Sequence, residues 1–567
     1  MRRVNIPVGT SNFAEIRQEG YYYIDKTGLI EEILRTEGTK VTLITRPRRF
    51  GKTLGMRMLA EFFDRQKDSR RLFSGLSIGE NKELCAVWMN QYPTLFVSFK
   101  GVDGLNFPAA YARLSAVISE LYKKHLYLLE DGAVNVYDRE MFHRIAAKTA
   151  SAEEVGNSLF KLTQMMAFSC DKPVILLIDE YDVPLAKASE KGYYAEMLDV
   201  MKGIMQAIKD NDALKFAVIT GCLYIAKESI FTGTNNFVSD TISDTRLNEY
   251  FGFTQAETER LLHDTGLYGH RGEIKAWYDG YCFGSFHVYC PWDVMNHVKN
   301  LMLNPSAKPA GYWKNSSDNA IIRAFIDFSG ESITQRFETL LAGGSVFQKV
   351  RDDLTYDVVH SSEENLWSIL YLTGYLTRAE EAEPGPGGAE QVLDGRCIAL
   401  KIPNAEIMEI FEHTIRAWFE ERVQHLDRKR LFAALWNGDA QTATEEISGL
   451  LRKTISYHDY REDYYHAFFA GIFAGAGYVV ESNKEHGEGR SDIVVKDYAG
   501  DRVIVFEVKY AKTLGGLAHE CEKALAQADR QRYAQEFEED YSQVLCYGIA
   551  FYKKRCLLRL RGLTGGF

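Results

Sequence analysis

The chain has 567 residues, of which 46% are hydrophobic and 26% are charged, and its formal net charge at pH 7 is −11. That length exceeds what a single hydrophobic core supports, so we expect several domains of ordinary globular composition. The acidic balance argues against a protein coated with positive charge for nucleic acid, although it allows a local basic groove.

The cysteines and the N-terminal residues indicate the compartment in which the protein is expected. None of the nine cysteines forms a CxxC pair, so neither a structural zinc site nor a disulfide framework is predicted. Residues 1–7 lack the apolar core of a signal peptide, and no run of roughly eighteen apolar residues occurs. We therefore expect a reduced, cytoplasmic protein with no membrane partner, and a homo-oligomer stays open.

A strand, a loop and a helix open the first predicted domain. Residues 41–45 form an apolar run, and residues 54–63 carry apolar side chains at helical spacing. The glycine, lysine and threonine just before that helix are the core of a P-loop, whose amides cradle phosphates. Lys52 is predicted to reach the β- and γ-phosphates and Thr53 to hold Mg²⁺. Since the full pattern has glycine where this chain has Arg46, the tripeptide alone leaves a solvated loop as the alternative.

Three further buried strands are predicted, at residues 92–99, 172–180 and 214–220, with a helix at 197–208. The second strand ends in Asp179 and Glu180, the pattern of a Walker B strand. Asp179 is predicted to bind Mg²⁺ through water, and Glu180 to polarise the attacking water. Thr220 is a candidate sensor of the γ-phosphate, with an ordinary strand-end threonine as the alternative. Strands that alternate with helices predict an α/β domain with a parallel sheet.

The middle of the chain is predicted to be mainly helical from residue 253 to residue 376. The Gly- and Pro-rich segment 383–388 separates two strand-like runs, and we interpret it as the tip of a hairpin. Helices are predicted again from residue 405 to 453 and from 464 to 477.

Two β-branched runs near the C-terminus carry charges that a buried strand does not tolerate cheaply. Asp492 stands at the start of the first run. Glu507 and Lys509 lie two residues apart in the second, so their side chains leave the same face of a strand. An Asp, a Glu and a Lys that converge from adjacent strands make physical sense as a divalent-metal site with a positioned lysine. The pattern alone leaves an exposed hairpin with a salt bridge as the alternative.

The N-terminal half, roughly residues 4–290, resembles the AAA-ATPase-like family found largely in bacteria. The resemblance rests on the segments IPVG at 6–9, YYIDKT at 22–27, RPRRFGKT at 46–53, IDEYD at 178–182 and YDGY at 278–281. It implies that Arg46 is part of the family's own P-loop variant, and it implies ATP binding and hydrolysis. Glu180 is the predicted catalytic residue, and the predicted nucleotide-binding set is Arg46, Arg48, Arg49, Phe50, Gly51, Lys52, Thr53, Asp179 and Thr220.

The C-terminal part, roughly residues 455–560, closely resembles the PD-(D/E)XK nuclease module that accompanies this ATPase family. The resemblance rests on Asp492, on the Glu-Val-Lys triplet that ends at Lys509, and on a predicted α-β-β-β-α-β order. It implies that Asp492, Glu507 and the Val508 carbonyl bind Mg²⁺ or Mn²⁺. It also implies that Lys509 positions water or stabilises charge on the phosphate.

Other residues of this module are weaker candidates. Gln527 matches the family's glutamine on the helix after the lysine, where it would face the metal or the scissile phosphate. Four residues are candidates for an auxiliary metal ligand, with ordinary polar positions as the alternative: Glu462, His466, Glu481 and Glu485.

The segments 367–376 and 398–403 resemble the winged-helix-like connector of these proteins. We see no basic cluster on it, so packing or relay between the two catalytic modules is its predicted role. The predicted fold is therefore α/β, in three domains: an AAA-like P-loop ATPase domain at 1–290, a helical and winged-helix-like connector at 291–454, and a restriction-endonuclease-like domain at 455–567.

Two functional classes compete. In the first, the protein binds and hydrolyses ATP, and its nucleotide state gates metal-dependent cleavage of nucleic acid, DNA before RNA. In the second, it is a nucleotide-driven switch or scaffold that binds nucleic acid or protein partners without cleavage. The intact Asp492, Glu507 and Lys509 favour the first.

Overall fold

The structure, a computed structural model, describes most of the chain in ranges that we state once. They are residues 4–35, 38–130, 134–225, 230–231, 237–313, 322, 336, 339–341, 343–352, 354, 356, 362–379, 397–424, 429–454, 473, 478–486, 489–531, 535–553 and 555–561. In these ranges, no helix is long and apolar enough to cross a membrane. The chain divides into two compact units, the first comprising residues 1–321 and 345–409 and the second comprising residues 322–344 and 410–567.

The α-helices of the first unit are α1 Phe13–Gln18, α2 Gly28–Arg35, α3 Lys52–Phe63, α4 Arg70–Phe73, α5 Ser77–Glu80, α6 Lys82–Trp88, α7 Phe107–Lys124, α8 Val136–Ala146, α9 Ala152–Gly156, α10 Ser158–Cys170, α11 Val183–Lys191, α12 Tyr194–Ile204, α13 Gln255–Asp264, α14 Arg271–Tyr278, α15 Pro291–Leu303 and α16 Glu363–Leu372. Helix α17, Ala405–Gln424, contains the boundary between the units. The second unit adds α18 Lys429–Trp436, α19 Ala440–Thr454 and α20 Leu517–Arg530. Short 3₁₀ helices occur at Leu126–Leu129, Met205–Ile208, Asn248–Tyr250, Tyr268–His270, Leu514–Gly516 and Gln535–Phe537.

The strands are β1 Val41–Thr45, β2 Thr94–Ser98, β3 Val174–Asp179, β4 Leu214–Gly221, β5 Phe237–Asp240, β6 Tyr281–Phe283, β7 Phe286–Val288, β8 Val346–Lys349, β9 Thr377–Arg378, β10 Cys397–Lys401, β11 Val479–His486, β12 Gly489–Asp497, β13 Arg502–Tyr510, β14 Gln543–Tyr552 and β15 Arg555–Leu560.

The first unit is built on a five-stranded parallel sheet in the order β2-β3-β4-β1-β5. Strands β1 and β3 are buried along their whole length and largely apolar, because both faces of the sheet are covered. Leu43, Leu176 and Ile219 pack toward one helical layer, whereas Ile44 and Leu177 pack toward the other. Since all five strands run the same way, their carboxyl ends meet at one edge of the sheet, where ligands of such folds bind.

A small antiparallel sheet in the order β8-β10-β9 follows in the same unit. Strands β9 and β10 pair directly, with Leu400 opposite Arg378, as the predicted hairpin requires. The predicted tip at 383–388 lies outside the described residues. Helix α16 and this sheet form the connector, and β6 and β7 form a separate two-stranded hairpin.

The second unit has a mixed five-stranded sheet in the order β11-β12-β13-β14-β15. All pairs are antiparallel except β13 with β14, and helix α20 forms the crossover between those two strands. Ala528 of α20 packs with Val503 and Val505 on one face of the sheet. On the other face, Tyr547 stacks on Phe506, and its hydroxyl donates to the Leu435 carbonyl of α18.

The predicted fold class is confirmed: a parallel N-terminal sheet, helices between, and a mixed C-terminal sheet. Strands β1 to β4 lie where the apolar runs predicted them, whereas β5 and β15 were not predicted. The predicted helix at 464–477 lies outside the described residues, apart from Phe473. The three domain boundaries stay predictions.

Candidate nucleotide and nuclease sites

The P-loop joins β1 to α3 at the carboxyl edge of the parallel sheet. Two of its residues have left-handed backbone conformations, Arg49 with φ 72° and Gly51 with φ 87°. The amide of Arg46 donates to the carbonyl of Gly221 at the end of β4, 3.1 Å away. The left-handed conformation of Arg49 is strained, because a residue other than glycine rarely adopts it. Backbone strain of this kind is concentrated in loops that hold ligands.

The side chain of Lys52, the predicted phosphate ligand, is buried within the P-loop. Its Nζ donates to the carbonyls of Arg46 and Pro47, at 3.0 and 3.1 Å, and lies 3.5 Å from Glu180 Oε1. Burial opposes its charge, but Cys222, Glu180 and Asp182 outweigh burial and hold the pKa of Lys52 above its usual value. Burial raises the pKa of Cys222 to about 11, so this thiol is neutral at pH 7 and the carboxylates supply the counter-charge.

Asp179 ends β3 and accepts hydrogen bonds from three hydroxyl groups. Thr53 Oγ1 and Ser98 Oγ lie 3.1 and 2.9 Å from Asp179 Oδ2, and Thr220 Oγ1 lies 3.0 Å from Oδ1. Burial and the neighbouring Glu180 raise the pKa of Asp179. The structure thus brings together the predicted Thr53, Asp179 and Thr220, a set of oxygen atoms suited to Mg²⁺. Ser98 was not predicted, although it ends the strand that pairs with β3.

Glu180 follows Asp179 with φ 54°, a left-handed conformation that a glutamate rarely adopts. Its side chain is largely buried and faces Lys52. A strained acidic residue beside the P-loop lysine fits the predicted role of Glu180 in activating water.

The structure gives Arg46 a different place from the one expected of a phosphate ligand. Its side chain is 0% exposed. The guanidinium forms a salt bridge to Asp240 at 2.5 Å and donates to Asn248 Oδ1 at 2.8 Å and to the Thr45 carbonyl at 2.8 Å. Since these partners belong to the protein, Arg46 braces the start of the loop rather than presenting its charge to a nucleotide.

The remaining P-loop side chains differ in their surroundings. Arg49 places its guanidinium 4.2 Å from the centre of the Trp292 ring. Phe50 is fully buried, with ring centroids of Tyr281 and Phe283 at 4.9 and 5.0 Å. Arg48 is half-buried. Of the predicted nucleotide-binding set, Phe50 therefore contributes packing, and a direct role of Arg48 and Arg49 stays a prediction.

Asp182 is a buried acid that the sequence interpretation did not single out. Its Oδ2 accepts the amides of Cys222 and Leu223, at 2.9 and 3.0 Å, and the hydroxyl of Tyr356 at 2.9 Å. Asp182 thereby fixes the chain that leaves β4, immediately after Thr220. Its place in the Asp-Glu-Tyr-Asp segment was visible in the sequence, but its partners were not.

In the second unit, Glu507 and Lys509 share one face of β13. Glu507 is 0% exposed, and Lys509, which reaches solvent, holds its Nζ 2.9 Å from Glu507 Oε1. Val503 and Val505 continue the same face beneath α20. The lysine compensates a buried carboxylate whose burial would otherwise be costly.

Asp492 stands beside this pair on the neighbouring strand. In the antiparallel register, Val494 lies opposite Val505 and Ile493 opposite Phe506, so Asp492 follows on the face of Glu507. Asp492 Oδ2 accepts the amide of Val508 at 2.7 Å. The three charges predicted to converge therefore do so.

Helix α20 covers this site closely because β14 has glycine there. Gly548 lies opposite Glu507 in the parallel register. A Cβ on Gly548 would lie 2.7 Å from Leu525 Cγ and 2.8 Å from the Cys521 carbonyl. Gln527 is half-buried on the same helix, so its predicted role at the site is compatible with its position and stays a prediction.

The candidates for an auxiliary ligand are largely unplaced. Glu481 pairs with Lys496 across the β11–β12 ladder, 3.1 Å apart, which favours a structural role. Glu462 and His466 lie outside the described residues, as does the side chain of Glu485. Within the part that the structure describes, no group of three or more His, Cys, Asp or Glu side chains is arranged to hold a metal ion.

The donor set nevertheless fits a hard divalent cation. Asp492 and Glu507 offer carboxylate oxygens from adjacent strands, and the Val508 carbonyl was predicted as a further oxygen. Complete burial of Glu507 beside a second acid has a clear physical purpose if a cation binds there. That Asp492, Glu507 and the Val508 carbonyl hold the metal stays a prediction.

Comparison with known proteins finds a family match for each of the two parts of the chain that carry these sites. Residues 7–231 match the family model described as "Predicted AAA-ATPase", and residues 460–559 match the PD-(D/E)XK nuclease superfamily. An uncharacterized protein in the vnfD 5′ region of Azotobacter chroococcum mcd 1 is 26% identical over 566 residues, which cover 97% of each chain. That similarity includes the middle of the chain as well as the two parts that match family models. The chain therefore joins an AAA-ATPase-like domain to a domain of the PD-(D/E)XK nuclease superfamily.

Proposed function

We propose that this protein is a metal-dependent nuclease whose cleavage of DNA is regulated by ATP binding and hydrolysis at its P-loop. The observation that carries the proposal is the convergence of Asp492, Glu507 and Lys509 on one face of adjacent strands. A catalytically idle domain would not need a buried acid, a second acid and a lysine in this arrangement.

The roles of the nuclease residues follow from their positions. Asp492 and Glu507 would hold Mg²⁺ or Mn²⁺, which neutralises charge on a scissile phosphate when bound. Lys509, whose side chain is partly exposed beside Glu507, can orient a water molecule or donate to a phosphate oxygen. The backbone amide of Val508 links the two strands by donating a hydrogen bond to Asp492 Oδ2.

The roles at the nucleotide site follow in the same way. Lys52 is charged and lies at the P-loop, so it can bind the β- and γ-phosphates once it leaves the loop carbonyls. Thr53 and Asp179 would hold Mg²⁺, and Thr220 contacts the same carboxylate. Glu180 would orient the attacking water.

A cleavage assay with labelled DNA and Mn²⁺, with and without ATP, tests the proposal. Lys509→Ala should lose about a hundredfold or more in cleavage rate, because it removes charge stabilisation at the reacting phosphate. The matched control is Lys523→Ala, whose ammonium forms an exposed ion pair with Glu520 on α20 and should leave the rate unchanged.

The outcomes separate the alternatives. Cleavage by Lys509→Ala at the wild-type rate would remove the assignment of this site. Nucleic-acid binding without cleavage, in the presence of Mn²⁺ and ATP, would favour the switch or scaffold. A parallel arm with labelled RNA decides the substrate.

A further inference from the structure

The P-loop packs against segments that are distant in sequence. The ring of Phe50 is enclosed by Tyr281 and Phe283 of the β6–β7 hairpin. A Cβ on Gly374, just after α16, would lie 3.0 Å from Pro47 Cβ. The connector and the hairpin therefore form part of the wall around the loop that would bind phosphates.

The chain just before this hairpin packs against the chain just before α17. Gly280 has φ 98°, and a Cβ there would lie only 2.0 Å from the carbonyl oxygen of Pro403, so main chain meets main chain at this point. Asn404 adds a double link. Its Nδ2 donates to the Asp279 carbonyl at 2.8 Å, and its Oδ1 accepts the amide of Ile407 at 3.1 Å. One side chain thus caps α17 and fastens it to the main chain two residues before the hairpin.

A second set of contacts reaches the first turn of α17. Glu406 of α17 is buried, and its Oε1 accepts the Trp313 amide at 2.7 Å. Burial and the nearby carboxylate of Asp293 raise the pKa of Glu406. Burial also raises the pKa of Asp293, and the charge of Arg49 in the P-loop opposes that rise. Both routes from the P-loop end at residues 404–407.

We propose that Asn404 is the positioning residue that carries the nucleotide state of the P-loop into helix α17, and through it to the second unit. The inference rests on the proposed function and specifies how ATP would regulate it. Helix α17 contains Glu409 and Ile410, the residues at which the first unit gives way to the second. A change in the P-loop on ATP binding moves Phe50 and the hairpin, and Asn404 transmits that movement because it is bonded both to the main chain just before the hairpin and to the helix.

The decisive variant is Asn404→Asp, which keeps an oxygen for the Ile407 amide but has no donor for the Asp279 carbonyl. Aspartate caps helices as well as asparagine, so α17 should form normally. The matched control is Asn106→Asp, since Asn106 caps α7 through the Ala109 amide at 3.0 Å. Asn404→Ser serves as a second variant that keeps a capping oxygen without the amide donor.

Amide hydrogen exchange of residues 405–410, with and without ATP, is the readout. ATP should change exchange there by about fivefold or more in the wild type and in Asn106→Asp, the lower range of allosteric coupling. In Asn404→Asp and Asn404→Ser the change should be lost while ATP still binds. ATP should also cease to affect DNA cleavage in these two variants.

A response to ATP that persists in both Asn404 variants overturns the inference, as does its absence from a wild type that binds ATP. A wild type that shows the exchange response but does not cut nucleic acid overturns the proposed nuclease and leaves the relay standing. A wild type that binds no ATP overturns both.

Discussion

Arg46 has a structural role in the P-loop. Where a P-loop ordinarily has glycine, this chain has an arginine whose guanidinium is bonded to Asp240, Asn248 and the main chain. Buried ion pairs are costly to assemble but even more costly to break on one side. We therefore infer that Arg46 holds the loop in shape and that Lys52 supplies the positive charge for the nucleotide.

Arg46→Met should lower the free energy of unfolding by ~3–5 kcal/mol, because it removes the close ion partner of buried Asp240 and leaves the more distant Arg246, 3.7 Å away. Urea unfolding followed by fluorescence measures the loss. Adding Asp240→Asn should recover part of it, since the uncompensated charge is then removed.

The control is Arg35→Met, which removes an exposed guanidinium paired with Glu32 on the same helix and should cost less than ~1 kcal/mol. Equal losses for the two variants would contradict the assigned role of Arg46.

At the scale of elements, the contact between α20 and β14 shapes the nuclease site. Gly548 allows the helix to approach the sheet at the level of Glu507. The same face is continued by Val503, Val505 and Ala528. The burial of Glu507 therefore depends on how closely one helix can lie on one strand.

Gly548→Ala should destabilise the second unit by ~1–3 kcal/mol, because its methyl group would overlap Leu525 and the Cys521 carbonyl. DNA cleavage should fall by about tenfold or more as α20 moves away from Glu507. Chemical denaturation and the cleavage assay measure the two effects.

Gly449→Ala is the matched control, since a Cβ at this position in α19 meets nothing within 4 Å. It should stabilise the helix by ~0.5–1 kcal/mol and leave cleavage unchanged. The site is placed wrongly if both alanine variants behave alike.

Elements also show what sequence can and cannot predict. Strands β1 and β3 are largely apolar runs, and β13 contains the apolar run 503–506. Strands that are buried on both faces can be predicted from such runs. The pairing of β1 with β5 could not be predicted, because the short β5 lies nearly two hundred residues further along the chain. The periodicity of apolar residues indicates a strand but not which other strand it pairs with.

The same limit applies to the sites. Asp179, Glu507 and Lys509 were predicted because acids and lysine are conspicuous in buried strands. Ser98 and Tyr356 are common residue types, and they reach Asp179 and Asp182 only through the tertiary fold. Arg46 was expected at the nucleotide, since sequence does not show that Asp240 would be its partner.

At the scale of the whole molecule, two ligands should act on two separate sites. ATP with Mg²⁺, at about a hundredfold its Kd, should stabilise the wild type by ~2.7 kcal/mol, and Mn²⁺ alone should stabilise the nuclease site by the same law. Calorimetric unfolding measures both. Lys52→Ala should abolish the ATP effect and retain the Mn²⁺ effect, whereas Glu507→Gln should do the reverse.

Stabilisation by ATP that survives in Lys52→Ala would show that nucleotide binds elsewhere. Stabilisation by Mn²⁺ that survives in Glu507→Gln would likewise place the metal outside the predicted pair.

The division of the chain into two interleaved units limits how fragments of the protein can be made. The polypeptide enters the second unit at Ile322, returns to the first at Ser345, and enters the second again at Ile410, within helix α17. A single cut before Ile410 therefore leaves the whole first unit in one fragment, together with residues 322–344 of the second unit, and the fragment that starts at Ile410 lacks that piece of its own unit. Replacement of everything from Ile410 onward by the matching part of another protein would therefore build the second unit from two sources, with residues 322–344 from one and the rest from the other.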